Sequence, residues 1–311
     1  MIYLFIAMVL LLISFTIILY TIYRIAFCSG NMKLPDLGDV LSKDQISEFK
    51  EKIDKNIDIF RSIPFEEVEI RSFDKTKLAG RFYKVEKSQK VMMLFHGYKS
   101  HIDVDGSRAV ALCLERGFNV LAVHQRGHDK SEGKVITFGI FERLDLKEWV
   151  GYIKERLGED CSILLMGLSM GAATVMMSSN FNIPQIKGIY SDCGYSSPKE
   201  ILKIGIQKMK LSPKLCYPFL LLSAKLFAKF DPEEITALEA LAQSTVPITL
   251  IHGEGDNFVP CSMSERCFEK SSAKIKKLIK IPKAGHGLCY YVDTEVYEAA
   301  LNEMLSIVES N

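Results

Sequence analysis

Hydrophobic and polar residues follow three different patterns along the chain. The segment from Ile2 to Tyr23 has no charged side chain. As a helix it would be about 33 Å long, which is enough to cross the hydrocarbon layer of a membrane. Residues 31–63 are polar, with apolar residues at helical spacing, and this predicts an amphipathic helix. From Phe65 onward, short apolar runs alternate with helical patterns.

Eight of the short apolar or alternating runs predict β-strands. They are residues 65–72, 77–84, 91–95, 118–123, 162–167, 188–192, 248–253 and 277–281. Helical patterns occupy residues 107–116, 140–157, 170–179, 262–270 and 293–308. Strands that alternate with helices in this way predict an α/β fold, with a mostly parallel central sheet and helices on both faces.

One stretch interrupts this alternation. Residues 196–246 contain several helical patterns and no convincing strand. An insertion of about 50 residues between two strands is long for a connection. It predicts a small helical cap over the edge of the sheet, although ordinary packing of these helices against the domain is an equal alternative. The predicted organisation is an anchor over 1–24, an amphipathic linker over 25–64 and a domain over 65–311, with the cap at about 196–246.

Charge and cysteine content narrow the functional classes. The chain has 39 basic and 38 acidic residues and a net charge of +1, so no nucleic-acid partner is predicted. The eight cysteines are scattered, and several lie inside apolar runs. This is typical of small core residues in a reducing compartment rather than of disulfides or a CxxC metal site. No metal or cofactor motif is present, and neither a metal nor a cofactor is predicted.

The N-terminal apolar segment predicts a single-pass membrane anchor. Tyr20 and Tyr23 close the run and Arg24 follows, as expected at a membrane interface. A cleaved signal peptide is disfavoured because the segment lacks a basic start, is longer than a signal core and has no A-x-A site. Arg24, Lys33 and Lys43 follow the span, so the positive-inside rule favours a cytoplasmic catalytic domain.

The strongest chemical motif is a serine between glycines. Gly167-Leu168-Ser169-Met170-Gly171 stands where an apolar strand turns directly into a helix. A serine at such a sharp turn adopts strained dihedrals, and the flanking glycines remove Cβ atoms that would clash. The turn also places the hydroxyl at a helix N-terminus, which favours a developing negative charge. Ser169 is therefore the candidate nucleophile.

A serine hydroxyl needs a base and an orienting acid within reach. Asp256 follows the predicted strand 248–253, and His286 follows the next strand. Carboxyl ends of parallel strands share the edge of the sheet where ligands bind. Asp192 is an alternative acid, and Asp256 is favoured because G-x-x-D before Val-Pro matches the usual acid loop. His96 is the alternative base, although its position suits a loop brace better.

The remaining histidines are weaker candidates for the base. They lack an acid partner at a suitable strand end, and such residues are more often found in loops or cores. They are His101, His124, His128 and His252.

These motifs resemble those of the α/β-hydrolase superfamily. The order Ser169, Asp256, His286 follows the order of that fold's triad, and the resemblance runs from about residue 65 to the C-terminus. Residues 126–133 are similar to the family's R-G-x-G-x-S-x-G loop, with His128 in place of its second glycine, and no chemistry is assigned to them. The chain most resembles the membrane-anchored branch related to Bem46 proteins. The resemblance implies an oxyanion hole formed by the backbone N–H groups of Met170 and Tyr98.

The sequence therefore predicts a membrane-anchored serine hydrolase that cleaves a carboxylic ester or thioester through an acyl-enzyme. The anchor suggests a small-molecule or lipid-like acyl substrate. A serine peptidase of the same fold is the nearest alternative, because fold does not decide the substrate. A binding module that has kept the fold without catalysis is less favoured, since serine, acid and histidine are all present.

Overall fold

The computed structural model describes residues 1–29 and 43–310, and the part of the predicted linker between them lies outside the described residues. The strands are β1 Glu66–Arg71, β2 Lys77–Tyr83, β3 Lys90–Phe95, β4 Asn119–Val123, β5 Ser162–Leu168, β6 Ile186–Asp192, β7 Ile248–Gly253 and β8 Lys276–Ile281. The helices are α1 Ile2–Ala26, α2 Lys43–Ser62, α3 Ile102–Gly106, α4 Val110–Glu115, α5 Glu142–Leu157, α6 Met170–Ser178, α7 Pro198–Lys208, α8 Pro213–Ser223, α9 Ala237–Ala242, α10 Ser262–Lys270, α11 Cys289–Val292 and α12 Thr294–Ser310.

All eight strands belong to one sheet, in the order β1-β2-β4-β3-β5-β6-β7-β8. The pairs β1·β2 and β2·β4 are antiparallel, and every other pair is parallel. The strand boundaries match the predicted runs to within two residues. The predicted mostly parallel sheet is confirmed, and its parallel strands place the ends of β3, β5, β7 and β8 at one edge.

Both faces of the sheet are buried, because successive side chains of a strand point to opposite sides. On β3, Met93 packs in a core with Trp149 of α5, while Met92 and Leu94 pack in a second core with Leu301 of α12. This explains why the central strands read as continuous apolar runs. The predicted helix 107–116 is shorter in the structure, where α4 covers residues 110–115, and α3 is a separate short helix that ends before residue 107.

The predicted cap region contains helices only. It consists of α7, α8, a wider helical turn over Ala224–Ala228, and α9. The N–H of Ala237, at the start of α9, donates to the carbonyl of Ser196, and this bond ties the end of the cap to the loop after β6.

The N-terminal helix α1 is joined to the domain at its C-terminal end. Residues 1–18 are all exposed. Phe27 is fully buried, Cys28 forms a β-bridge with Val135, and the N–H of Ser29 donates to the carbonyl of Lys134. The chain thus enters the core of the domain three residues after the predicted end of the anchor. Among the described residues, α1 is the one helix long and apolar enough to cross a membrane, a property that signal sequences share.

Helix α2 uses its predicted apolar face to pack on the domain. The five apolar residues at helical spacing are wholly or partly buried: Ile46, Phe49, Ile53, Ile57 and Phe60. The rings of Phe60 and Tyr83 lie 5.5 Å apart, which fixes the end of α2 against β2.

Candidate active site

Ser169 occupies a strained turn between β5 and α6. Its φ of +52° lies in the left-handed region, which non-glycine residues rarely adopt. A Cβ on Gly171 would lie 1.9 Å from the carbonyl oxygen of Phe95, and a Cβ on Gly167 would lie 2.3 Å from the backbone of Gly171. Only glycine fits at these two positions. The strained serine and the space-making glycines inferred from the motif are therefore observed in the fold.

The three side chains predicted from distant parts of the sequence meet at one edge of the sheet. Nε2 of His286 lies 2.9 Å from Oγ of Ser169, and Nδ1 of His286 lies 2.7 Å from Oδ2 of Asp256. Because a carboxylate can only accept, Nδ1–H is the donor and Nε2 is left to accept the serine proton. The Asp256 side chain is fully buried, whereas that of His286 is 10% exposed.

The loop after β7 holds Asp256 in its ionised form. Its Oδ1 accepts the backbone N–H groups of Phe258 and Val259, both at 2.8 Å. Burial opposes ionisation, but the His286 ring and hydrogen bonds from His252 and His286 outweigh it and keep the pKa of Asp256 well below its usual range.

The contacts of His252 contradict one expectation from the sequence. Its Nε2 lies 3.2 Å from Asp256 Oδ2 and 2.9 Å from the carbonyl oxygen of Val259. The expectation that His252 has no acid partner at a strand end is therefore wrong. Sequence reasoning missed this contact because His252 belongs to the buried apolar strand β7, where a histidine is indistinguishable from a core residue. The His252 ring therefore stabilises the loop that carries Asp256.

Asp192, the alternative acid, does not hydrogen-bond to His286. It lies at the end of β6 with a fully buried side chain, and its Oδ2 accepts from the hydroxyl of Tyr297 at 3.1 Å. Burial raises its pKa, an effect that the nearby Arg108 partly offsets. The backbone carbonyl of Asp192 accepts the N–H of Ser169 at 2.8 Å, so this residue supports the serine turn through its main chain.

The two N–H groups expected to form an oxyanion hole are both free of acceptors among the described residues. Met170 is the first residue of α6, where backbone N–H groups have no partner inside the helix. Tyr98 lies in the loop after β3, beside the serine: a Cβ on Gly97 would be 3.5 Å from the Cβ of Ser169. The two backbone segments that adjoin Ser169 therefore each carry an unpaired donor.

Two side chains that the sequence did not reveal hold the loop after β3. Oδ2 of Asp105 accepts the N–H of Gly97 at 2.7 Å, and Nε2 of His128 accepts the N–H of Lys99 at 3.0 Å. Burial lowers the pKa of His128, which keeps the ring neutral and able to accept. These contacts fix the backbone on both sides of Tyr98.

His96 is a brace and not a base. Its Nδ1–H donates to the carbonyl of Gly97 at 2.7 Å, and its Nε2 accepts the N–H of Gln125 at 3.2 Å. Both ring nitrogens are thus occupied, and burial lowers the pKa of His96 to about 3. This matches the loop-bracing reading of the sequence.

The loop that resembles R-G-x-G-x-S-x-G also makes contacts with histidines. The position of its second glycine is held by Asp129 and not, as expected, by His128. The φ of Asp129 is +45°, so the glycine-like backbone is kept. Its two carboxylate oxygens lie 2.6 Å from Nδ1 of His101 and 3.1 Å from Nδ1 of His124. These two histidines therefore have an acid partner that the sequence did not reveal, away from the serine.

The linker helix reaches the loop that carries His286. Nε2 of Gln45 donates to the carbonyl of Lys283 at 2.7 Å, and its Oε1 accepts the N–H of Gly285 at 2.9 Å. A residue more than 200 positions away thus holds the segment directly before His286, and no local motif pointed to it.

One group of potential metal ligands lies inside this site. Sγ of Cys193, a carboxylate oxygen of Asp256 and a ring nitrogen of His286 are within 4.8 Å of one another. Burial raises the pKa of the Cys193 thiol far above its usual value. Asp256 and His286 are already paired with each other. The group is therefore better described as part of a hydrolytic site.

Comparisons with known proteins agree with this fold. The family model described as Serine aminopeptidase, S33 matches residues 86–191, which include β3 and the serine turn. The Bacillus subtilis (strain 168) uncharacterized protein YqkD is 25% identical over 265 residues, covering 82% of this chain and 85% of that protein.

Solved structures with the same fold include esterases. The Pyrococcus furiosus esterase Pf2001 is 28% identical with a TM-score of 0.64, over 79% of this chain and 93% of that one. Est1E from Butyrivibrio proteoclasticus, solved with ferulic acid bound, is 20% identical with a TM-score of 0.60, over 78% of this chain and all of that one. The narrower resemblance to Bem46 proteins stays a prediction. The sheet order, the serine turn and these likenesses together show that the chain has the α/β-hydrolase fold.

Proposed function

We propose that this protein is a membrane-anchored serine hydrolase that cleaves a carboxylic ester or thioester through an acyl-enzyme. Oγ of Ser169 attacks the carbonyl carbon while Nε2 of His286 takes the hydroxyl proton. The N–H groups of Met170 and Tyr98 stabilise the resulting oxyanion. Collapse of this intermediate expels the alcohol or thiol, which receives the proton from His286.

The second half of the reaction repeats these steps with water. His286 takes a proton from the water as its oxygen attacks the acyl carbon, and then returns a proton to Oγ of Ser169 as the acid leaves. Asp256 keeps Nδ1 of His286 protonated throughout and stabilises the imidazolium form. The single observation that carries the proposal is the pair of contacts of 2.9 Å and 2.7 Å that link serine, histidine and aspartate.

A lipid-like acyl substrate is proposed from the apolar surroundings of the oxyanion loop. The ring of Tyr98 stacks on Phe138 at 5.2 Å, and Phe138 contacts Phe27 at the end of α1 at 6.2 Å. Phe27 in turn contacts Phe230 of the cap at 5.2 Å. A continuous row of aromatic rings therefore connects the anchor and the cap to the loop beside Ser169.

Labelling with a fluorophosphonate probe tests the proposal. The wild-type protein should label, and Ser169→Ala should not, because only an activated serine reacts with such a probe. Ser162→Ala, in the same strand at its opposite end, is the matched control and should label like the wild type. Labelling of Ser169→Ala would remove Ser169 from the reaction. Failure of the folded wild type to label would favour a binding module.

A peptidase is the second candidate, and the description of the matching family model favours it. The same three side chains can cleave an amide through an acyl-enzyme. Turnover of p-nitrophenyl esters of short and long acyl chains, compared with aminoacyl anilides, separates the two activities. Faster turnover of the anilides would replace the esterase assignment, whereas a preference for long acyl esters would support a lipid-like substrate.

The proposal also places α1 in a membrane, with the catalytic domain on the cytoplasmic side. The basic residues that follow the apolar segment support this orientation. Protease added to sealed, right-side-out cells or spheroplasts should leave a C-terminal epitope intact. Cleavage of the epitope without lysis would place the domain on the outer side.

A further inference from the structure

Helix α8 of the cap and the wider helical turn that follows it carry a stripe of exposed apolar side chains. Leu215, Phe219 and Leu222 of α8 and Leu226 of the turn recur at intervals of four, three and four residues, which places them along one side of this helical segment. Between 37% and 68% of each of these residues is exposed. We call this face the cap stripe. A contiguous apolar face of this kind on a soluble surface marks a site of interaction with a protein or a membrane.

The cap stripe is continuous with the proposed membrane anchor. The rings of Phe15 and Phe219 lie 6.2 Å apart, and those of Tyr20 and Phe227 lie 5.5 Å apart. The hydroxyl of Ser223 donates to the carbonyl of Leu19 at 2.9 Å, which joins the two helices between these ring contacts. Helices α1 and α8 therefore form one apolar surface.

The contacts with the cap lie in the C-terminal half of α1, between Phe15 and Tyr23. Residues 15–26 of this helix span about 18 Å. Interfacial helices bury their apolar face by about 5–10 Å. The cap stripe is therefore expected beside the part of α1 that passes through one leaflet.

The charge around the cap stripe fits an anionic headgroup layer. Residues 201–230 contain six lysines and no acidic residue. The lysines are Lys203, Lys208, Lys210, Lys214, Lys225 and Lys229. Lys225 pairs with Asp231 at 2.7 Å, whereas Lys208, Lys210, Lys214 and Lys229 have no carboxylate partner within the described ranges. Lysines at both ends of an apolar helix can extend to the headgroups while the leucines enter the acyl chains.

We infer that the cap stripe is a second membrane-contacting element, inserted into the same leaflet as the C-terminal part of α1. It takes from the proposed function only that α1 lies in the bilayer, and it does not depend on the chemistry at Ser169. The partner is the phospholipid bilayer. The consequence is that the cap lies at the membrane surface, and that the aromatic row from Phe230 to Tyr98 begins there.

Tryptophan quenching by brominated lipids tests this inference on the full chain. The protein has a single tryptophan, Trp149, which is fully buried in the core and gives a constant background. Leu215→Trp and Leu222→Trp place a reporter on the cap stripe. Ile275→Trp, at an exposed apolar residue before β8, is the matched control, and Leu10→Trp reports on the anchor. Each variant is reconstituted in phosphatidylcholine and phosphatidylglycerol vesicles, with and without brominated acyl chains.

We expect Leu215→Trp, Leu222→Trp and Leu10→Trp to lose emission in brominated vesicles, and Ile275→Trp to keep it. Acrylamide, which quenches from the water phase, should quench the emission of Ile275→Trp more strongly than that of the other three variants. Quenching at Leu10 but not on the cap stripe would overturn the inference and leave the anchor intact. Absence of quenching in Leu10→Trp would overturn both the inference and the proposed membrane anchor.

A further arm separates the bilayer from a second copy of the chain. A cap stripe buried in a dimer would be protected from acrylamide and insensitive to bromine, and that result would also overturn the inference. Thermal unfolding of each variant, with a midpoint close to that of the wild type, checks that the domain is folded.

Discussion

Replacing Asp256 with asparagine tests the proposed role of Asp256 in orienting His286, with almost no change in the shape of the side chain. Oδ1 of Asp256 accepts two backbone N–H groups at 2.8 Å, and an amide oxygen can keep both bonds. The amide NH2 then replaces Oδ2, which faces Nδ1–H of His286 at 2.7 Å. Two donors would face each other. The ring must move its proton to Nε2, and Nε2 can then no longer accept the proton of Ser169.

The expected loss follows from this change of tautomer. The equivalent substitution in a serine protease triad lowers kcat about 10⁴-fold. That factor corresponds to about 5.4 kcal/mol of activation free energy. Asp192→Asn is the matched control, since Asp192 is equally buried but bonds to Tyr297 instead of His286. It should lower kcat by less than about tenfold, because one hydrogen bond contributes ~1 kcal/mol.

Initial rates of p-nitrophenyl butyrate hydrolysis measure both variants, with thermal unfolding as the check on folding. The reasoning is refuted if Asp256→Asn keeps more than about a tenth of the wild-type kcat, since the wrong tautomer should be nearly inactive. It is equally refuted if folded Asp192→Asn loses as much activity as Asp256→Asn. In that case the acid would come from β6.

Two further substitutions test the parts of the fold that hold the site. Gly171→Ala should lower the free energy of unfolding by about 1–3 kcal/mol and abolish fluorophosphonate labelling, because its Cβ would lie 1.9 Å from the carbonyl oxygen of Phe95. Gly205→Ala, whose Cβ meets nothing within 4 Å, should instead stabilise the protein by up to ~1 kcal/mol, and equal effects would contradict the packing argument. Gln45→Ala should lower kcat about tenfold, with little change in KM or in the thermal midpoint. The reason is that the substitution removes two hydrogen bonds that hold the loop before His286. A change in KM alone would assign Gln45 a role in binding.

The order of the elements and the residues that meet at the site were readable from the sequence. The apolar runs predicted the central strands because these are buried on both faces, and alternating runs predicted β1 and β2. The serine motif predicted its own turn, since the strain at Ser169 and the clash between Gly167 and Gly171 arise within five residues. The contact of Gly171 with Phe95 arises only in the folded sheet. Asp256 and His286 were predicted from their places after strands, although the sequence alone left Asp192 open.

Only the tertiary structure decided which side chains support that site. Gln45, Asp105 and His128 hold backbone groups next to the reacting residues, yet none of them belongs to a local pattern that differs from an ordinary surface or loop. Periodicity records which face of an element is buried and carries no information about hydrogen bonds between distant loops. The contact between α1 and the cap was hidden for the same reason: both helices read as apolar, and only their packing shows that they share one surface.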